Sequence, residues 1–96
     1  MPAIDGPIRF PLGRLVATPA ALAALVVAEV SPWTLLTRHS HADWGDLDEH
    51  DQQENERALT ADARLLSAYT LPDRTTIWII TEADRSATTL LLPQDY

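Results

Sequence analysis

Residues 39–56 read HSHADWGDLDEHDQQENE, and this run separates two apolar parts of the chain. An apolar segment with helical spacing precedes it, and an apolar segment with alternating spacing follows it. The run contains no Lys or Arg and holds seven of the fourteen acidic residues: Asp43, Asp46, Asp48, Glu49, Asp51, Glu54 and Glu56. We therefore expect one strongly negative surface between two elements that build the core.

Composition is typical of a small globular protein. The 96 residues suit a single domain over residues 1–96, with a loose leader at residues 1–7. An apolar fraction of 46% argues against disorder. The chain has no Cys, which excludes disulfides and suits a reducing cytoplasm. No apolar run reaches the roughly 18 residues of a membrane span, so we expect a cytoplasmic protein with no membrane partner.

The net charge of −7 indicates which partners are complementary. An acidic surface repels phosphate backbones, and the sequence has no basic stripe with interleaved aromatic residues. Direct nucleic-acid binding is therefore not expected. A basic protein surface, such as a groove built to hold nucleic acid, is complementary. The alternative is that the charge only maintains solubility.

Start and stop signals predict three helices. The first covers Ala20 to Glu29 after the Thr18-Pro19 start signal, the second Pro32 to His39, and the third Asp48 to Asp62. The first two helices have almost no linker between them, so they must bend sharply. The helical side chains expected to face the core are Leu22, Leu25, Val26, Val30, Trp33, Leu35 and Leu36.

From Arg64 onward the apolar period is two, which is typical of strands. Strands are predicted at Arg64–Thr70, Thr75–Glu82 and Thr88–Leu92, and their short connections favour an antiparallel meander. Arg14 to Ala17 is predicted to be a short edge strand. The predicted fold class is α+β: a three- to four-stranded antiparallel sheet with two to three helices packed mostly on one face.

One pattern in the acidic run resembles a zinc site. His39-x-His41-x-Asp43 has the alternating imidazoles and carboxylate of metallo-hydrolases, but Trp44 stands where the next His is usual. The large sandwich that supplies the remaining ligands cannot fit in this chain. We expect exposed histidines at a helix end, where imidazolium is mildly favourable.

A second pattern begins like a calcium loop. Asp46-x-Asp48-x-His50 has the first alternating oxygen ligands, but Asp51 replaces the Gly at position six and Arg57 replaces the Glu at position twelve. A dedicated metal site is therefore not expected, and weak binding of cations by crowded carboxylates is the alternative. The sequence has neither a nucleophile elbow nor a phosphate-binding glycine loop, so neither an enzyme nor a cofactor is expected.

The three tryptophans have different expected roles. Trp33 and Trp78 are expected to pack in the core. Trp44 lies between Asp43 and Gly45, so it either anchors the acidic loop to the core or forms an exposed contact. A Trp surrounded by carboxylates has the composition of a binding hot spot for a basic partner.

Several motifs resemble a family of small acidic proteins from plasmids and integrated elements, usually called plasmid-related proteins. The resemblance covers nearly the whole chain from Arg9 onward. Its motifs are Arg9-Phe-Pro-Leu-Gly-Arg-Leu-Val-Ala-Thr-Pro, Gly45-Asp46 after Trp44, Arg64-Leu-Leu-Ser-Ala-Tyr, Trp78-Ile-Ile-Thr-Glu-Ala-Asp-Arg-Ser and Leu91-Leu92-Pro93-x-x-Tyr96. The resemblance implies a mobile-element origin, and such elements carry small inhibitors of host defence, including anti-CRISPR proteins.

The resemblance and the charge together give the functional hypothesis of an anti-CRISPR protein. A monomer or weak homodimer would bind a Cas subunit of a type I interference (Cascade) complex and exclude target DNA. The expected contact residues are Asp43, Trp44, Asp46, Asp48, Glu49, Asp51, Glu54 and Glu56. A competing contact surface would be built from arginines, namely Arg9, Arg14, Arg38 and Arg74. The alternative function is a mobile-element accessory or regulatory protein that binds an element-encoded partner.

Overall fold

In a computed structural model, residues 7–96 are described and form a four-stranded sheet with three helices. The elements are β1 (Arg14–Ala17), α1 (Pro19–Ala28), α2 (Pro32–Ser40), α3 (Glu49–Ala61), β2 (Leu65–Thr70), β3 (Thr76–Thr81) and β4 (Ala87–Leu91), followed by a 3-10 turn at Pro93–Asp95. The α+β class is confirmed, and each predicted element lies within one residue of its observed bounds. Apart from Pro7, the predicted leader lies outside the described residues.

The strands lie in the order β1-β4-β3-β2. The last three form the predicted antiparallel meander, with Ile79 opposite Ser67 on one side and Leu90 on the other. Strand β1 is the exception, because it pairs with β4 in parallel, from Arg14 opposite Ala87 onward. The predicted antiparallel sheet is therefore confirmed for β2, β3 and β4, whereas β1 departs from it. The long connection between β1 and β4, which includes all three helices, allows the parallel direction.

Side-chain caps begin the helices where the sequence placed them. The N–H of Ala21 donates to Thr18 Oγ1 at 3.1 Å, and that of Asp51 donates to Asp48 Oδ1 at 2.8 Å. The predicted sharp bend between α1 and α2 is confirmed, at 107°. Within residues 7–96, no single helix has the length and apolar character needed to cross a membrane, and α1 with α2 meets that test only as a bent pair.

The main core lies between α1, α2 and one face of the sheet. Its buried side chains include Leu25, Leu36, Tyr69, Ile77 and Ile79. Fully burying an aliphatic side chain of this size stabilises a fold by about 1.5–3 kcal/mol. A second buried cluster lies beside it, made of Phe10, Trp44, Ala58 and Leu65. This second cluster connects the acidic run to the sheet.

Some side chains predicted to face inward are exposed instead. Val26 is 77% exposed, Trp33 is 62% exposed, and Leu22 is also exposed. Helix α1 is apolar around its whole circumference and carries no charge, so its periodicity cannot indicate which face packs. The face that does pack presents Ala21 and Leu25.

Trp78 is partly buried on the other face of the sheet, and not in the main core. Its ring lies edge-on to Tyr96 at 5.9 Å, and both rings line a groove of about 300 Å³. Arg64 lines the same groove, where it donates to Tyr96 Oη at 2.9 Å and lies 3.8 Å from Glu82. The expectation of core packing is therefore wrong for Trp78.

The two turns of the meander share one local structure. In each, an Arg has positive φ, 72° at Arg74 and 62° at Arg85. In each, an Asp one residue earlier accepts the N–H of the residue that follows the Arg, Asp73 from Thr75 and Asp84 from Ser86. The sequence shows the correspondence as Pro-Asp-Arg-Thr and Ala-Asp-Arg-Ser.

The two turn arginines differ in their side-chain contacts. The Arg85 guanidinium donates to the carbonyls of Ala58 at 3.0 Å and Ala63 at 2.7 Å. These carbonyls lie at the end of α3, where the helix dipole favours a positive charge. The Arg74 side chain is exposed. Arg85 therefore ties the β3–β4 turn to the end of α3.

Replacing Arg85 with Ala should destabilise the protein by about 1.5–3 kcal/mol, because hydrogen bonds from a charged donor are lost. Arg74→Ala is the matched control, since it introduces Ala at the same backbone conformation in the equivalent turn. Urea denaturation of both variants measures the difference. Equal midpoints for the two variants would show that the Arg85 bonds contribute nothing to stability.

Candidate functional site

The acidic run passes along the outer edge of β2. Trp44 O accepts the N–H of Ala68 at 3.2 Å, and the N–H of Asp46 donates to Ala68 O at 2.7 Å. Gly45 forms the bridge between them with a φ of 74°, and a Cβ there would overlap the carbonyl oxygen of Ala68. A side chain at this position is therefore excluded both by backbone conformation and by contact.

Two further side chains complete the edge of β2. Asp46 Oδ2 accepts the N–H of Thr70 at 2.8 Å. Buried Asn55 on α3 accepts the N–H of Leu66 at 3.2 Å and donates to its carbonyl at 2.6 Å. The acidic run and α3 thus supply the hydrogen bonds that another strand would otherwise provide. The edge-binding carboxylate of Asp46 has a structural role.

Trp44 is buried, with 4% of its surface exposed. Its ring stacks on Phe10, and its indole N–H donates to Glu56 Oε2 at 2.9 Å. The other oxygen of Glu56 accepts from Arg9 at 3.2 Å. Trp44 therefore anchors the loop to the core, and its proposed role as an exposed contact is wrong. Its apolar ring is needed to fill the second cluster.

Asp43 is engaged with Arg38 and the backbone of its own loop. Arg38 Nε donates to Asp43 Oδ2 at 2.7 Å, and Asp43 Oδ1 accepts the N–H of Gly45 at 3.1 Å. The hydrogen bonds from Arg38 lower the pKa of the Asp43 carboxyl below its usual value. The Arg38 guanidinium also lies over the Tyr69 ring, whose hydroxyl donates to Asp43 O at 2.6 Å.

The remaining acids of the run lie at the start of α3. Asp48 caps the helix, while Glu49 and Asp51 lie exposed in its first turn. Glu54 forms an ion pair with Arg57, one turn further along the helix. Within the part of the chain that the structure describes, Glu49 and Asp51 have no Arg in ion-pair contact. Both carboxylates are exposed to solvent.

The residues of the zinc-like pattern do not converge. His39 is fully buried, so the expectation of exposed histidines is wrong for it. His41 does lie at the end of α2, where its Nδ1–H donates to Thr37 O at 2.8 Å. Asp43 is held by Arg38 as described. Each of the three side chains therefore has a separate protein partner.

A different acidic group is close enough to consider as a cation site. The ligand atoms of Asp48, His50 and Asp51 all lie within 4.8 Å of one another, and all three residues are exposed. One Asp48 oxygen already accepts the N–H of Asp51 as the helix cap. Helix capping therefore explains why these residues are close together.

A buried chain of hydrogen bonds was not predicted from the sequence. His39 Nδ1 lies 2.5 Å from Ser67 Oγ, and its Nε2 lies 2.9 Å from Thr81 Oγ1. Thr81 Oγ1 lies 2.7 Å from Thr88 Oγ1, which donates to Leu12 O at 2.6 Å. All four side chains are fully buried. The signal in the sequence is that Ser67, Thr81 and Thr88 occupy inward positions of their strands.

The carbonyl of Leu12 fixes the direction of the bonds as far as His39 Nε2, because a carbonyl can only accept, and in the neutral ring Nδ1 is then the acceptor. Thr88 donates to Leu12, so Thr81 must donate to Thr88. His39 Nε2–H then donates to Thr81, and the bare Nδ1 accepts from Ser67. The chain is fully satisfied when His39 is neutral, and burial lowers its pKa to about 3.

Ser67 and His39 resemble the nucleophile and base of a hydrolase only in their distance. A catalytic hydroxyl must reach a substrate, whereas Ser67 is fully buried within β2. The third group is the Thr81 hydroxyl, which is not a carboxylate. The arrangement is therefore a packing network, and the expectation that the protein is not an enzyme stays a prediction.

Folding stability should fall as the pH is lowered from about 6.5 to about 5, by up to about 1.4 kcal/mol per pH unit. The unfolded chain binds a proton at His39 in this range, whereas the folded chain binds it only near pH 3. Protonation therefore favours the unfolded state. Urea denaturation at several pH values measures the slope.

His39→Gln should remove most of this slope, because Gln does not titrate. Gln94→Ala is the control, since Gln94 is exposed in the C-terminal 3-10 turn and this substitution removes no titrating group. An unchanged slope in His39→Gln would refute the assignment.

The acidic run therefore divides into two sets of residues. Asp43, Trp44, Asp46 and Glu56 make internal bonds that hold the loop and the edge of β2. The other four, Asp48, Glu49, Asp51 and Glu54, are exposed at the N-cap and in the first two turns of α3. No family model, no curated protein and no solved structure matches the chain.

Proposed function

We propose that the protein is a non-catalytic inhibitor that binds a basic protein surface through the start of α3. The observation that carries this proposal is the pair of exposed carboxylates at Glu49 and Asp51, which have no arginine partner within residues 7–96. The nearest basic group to Asp51 is the exposed His50, whose Nδ1 lies 3.6 Å from Asp51 Oδ1. Asp48 and Glu54 flank Glu49 and Asp51 on the same helix. We call these four residues the acidic α3 surface.

Helix α3 is suited to binding because little of it packs. Its buried residues are Asn55 and Ala58, so most of its circumference faces solvent. Those two residues nevertheless fix the helix firmly, Asn55 through both bonds to Leu66 and Ala58 through Arg85. A surface that is already held in place loses little entropy on binding. The helix backbone that carries the acidic α3 surface is therefore preorganised.

Exposed charges of this kind act mainly on encounter and specificity. They attract a basic surface at long range and are screened over about 10 Å at 0.1 M salt. Binding through the acidic α3 surface should therefore weaken as salt increases. The competing arginine surface has fewer unpaired charges to offer a partner, because Arg9 already pairs with Glu56 and Arg38 with Asp43.

For the target we propose a Cas subunit of a type I interference (Cascade) complex. Such a complex holds nucleic acid on a basic surface, and an acidic helix on that surface would exclude target DNA. The resemblance to small mobile-element proteins supports this choice of target. The negative charges of α3 support a positively charged partner surface. An element-encoded partner with a basic surface is the alternative.

The proposal predicts that the parent protein restores transformation by a plasmid that a type I system would otherwise destroy. Glu49→Lys and Asp51→Lys should each reduce this inhibition, because each places a positive charge against a basic partner. The stability cost of each change is about 0.3–1 kcal/mol through the helix dipole. Thermal melting of each variant checks that the fold is intact at the assay temperature.

Glu29→Lys is the matched control, since it makes the same charge change at an exposed acid on the end of α1. It should inhibit as well as the parent. Equal loss in all three variants would assign the effect to net charge, and not to the acidic α3 surface. A parent protein with no effect on interference would refute the target, and pull-down with element-encoded proteins would then test the alternative.

A further inference from the structure

The two outer edges of the sheet are treated differently. The edge of β2 is covered by Trp44, Asp46 and Asn55, as described above. At the other edge, the N–H groups of Arg14 and Thr18 donate to Ser86 and Leu90, so these residues face β4. Because strand residues alternate, the backbone groups of Leu15 and Ala17 point away from the sheet. Within residues 7–96, no hydrogen bond reaches those groups.

The side chains around this open edge are apolar. Leu15 and Val16 are exposed on β1, and Leu22 and Trp33 are exposed on the neighbouring helices. These four line a groove of about 300 Å³ together with Ala17 and Pro32. We call these six residues the β1 face. Exposed apolar residues beside an unpaired strand edge form a surface that invites another strand.

The charge distribution distinguishes the β1 face from the rest of the protein. The net charge is −7, and seven of the acids lie in the run at the β2 side of the sheet. Helix α1 has no charged residue, and β1 has only Arg14. Two copies can therefore approach through their β1 faces without bringing their acidic α3 surfaces together. The charged side chains at the ends of β1 are Arg14 and Asp95, which accepts from Thr18 Oγ1, and their opposite signs keep repulsion between two β1 faces small.

We infer that the β1 face is a homodimer interface, in which β1 pairs with β1 of a second copy in the antiparallel direction. A two-fold axis at Val16 places Leu15 opposite Ala17 of the other copy. Both are the outward-pointing residues, so each such pair exchanges two backbone hydrogen bonds. The two Val16 side chains meet at the axis. This pairing extends the sheet across both copies and satisfies the open edge.

The second copy fits better than an unrelated strand because the edge is complementary to itself. The axis matches donor to acceptor on both sides and joins two uncharged apolar surfaces. The interface is small, since β1 has four residues and the remaining contact comes from Leu22 and Trp33. A stable specific complex typically buries about 800 Å² on each partner. We therefore expect a dissociation constant for the dimer in the micromolar range or higher.

Sedimentation equilibrium over a range of concentrations tests the dimer. The mass should rise from 10.6 kDa towards twice that value and stop there. Amide exchange supplies the residue-level readout: the amides of Leu15 and Ala17 should exchange more slowly as concentration rises. The amide of Val16 faces β4 and should be protected at every concentration.

Val16→Glu should weaken dimerisation by about tenfold or more, because two carboxylates would then meet at the axis. Val27→Glu is the matched control, since Val27 is exposed on α1 outside the β1 face and should leave the dimer intact. Leu15→Pro provides a second variant, because it removes an outward N–H and no bond to β4. Thermal melting confirms that each variant is folded.

A chain that stays monomeric at high concentration would overturn the inference. So would a dimer that persists in both Val16→Glu and Leu15→Pro. Slow exchange of Leu15 and Ala17 in a monomer would show that another segment of the same chain covers the edge, which also contradicts it. Growth beyond a dimer would exclude the two-fold arrangement.

Discussion

The fold depends on the buried hydrogen-bond chain from Leu12 through Thr88, Thr81 and His39 to Ser67. It joins the N-terminal segment, β4, β3, α2 and β2 in one connected network. An unsatisfied buried polar group costs about 1–3 kcal/mol, so the loss of one member exposes its neighbours to that penalty. The network also specifies register, because a strand shifted by one residue would turn its hydroxyl towards the opposite face. Apolar packing alone would tolerate more arrangements.

The need to hydrogen-bond backbone groups also explains the two edges of the sheet. Strand β2 receives its missing partners from the acidic run, and this is why Trp44, Asp46 and Asn55 occupy the positions they do. A long open strand edge promotes aggregation, and covering the β1 edge as well as the β2 edge would remove that risk. The β1 edge has four residues, which limits that risk and permits a specific pairing. Charge and apolar surface are thereby separated to opposite ends of the sheet.

The sequence predicted the elements because their caps and periods are local signals. Thr18 and Asp48 cap helices wherever they lie in the fold, and Pro32 ends one helix and begins the next. Burial is a tertiary property, and there the predictions failed. The uniform apolarity of α1 left Val26 ambiguous, and the alternation of β3 could not show that Trp78 lies on the thinly covered face. The parallel pairing of β1 depends on a contact over 70 residues away in sequence.

The candidate site was predictable in composition and not in detail. The density of carboxylates identifies the acidic run in the sequence. It does not distinguish the structural role of Glu56, which bonds to Trp44 and Arg9, from the solvent exposure of Glu49. The burial of His39 was not predicted, because a His that begins an acidic run is expected to be exposed at a helix end. Its partners Ser67 and Thr81 lie 28 and 42 residues away. The equivalent turns at Asp73-Arg74 and Asp84-Arg85 form a short repeat in the sequence, but the different contacts of the two arginines depend on the tertiary structure.

The two proposed surfaces act at opposite edges of one sheet, and this has a consequence for binding. Pairing through β1 places both β2 edges, with their α3 helices, at the far ends of an eight-stranded sheet. At about 4.8 Å between strands, the two ends lie roughly 34 Å apart. A target with two basic sites at that separation would bind the second acidic α3 surface as an intramolecular event, at an effective concentration that exceeds the free concentration. A weak dimer can then be sufficient, because the target itself holds the two copies together. In the proposed assembly, the acidic α3 surface would determine which surface is recognised, and pairing through β1 would determine how many contacts are made.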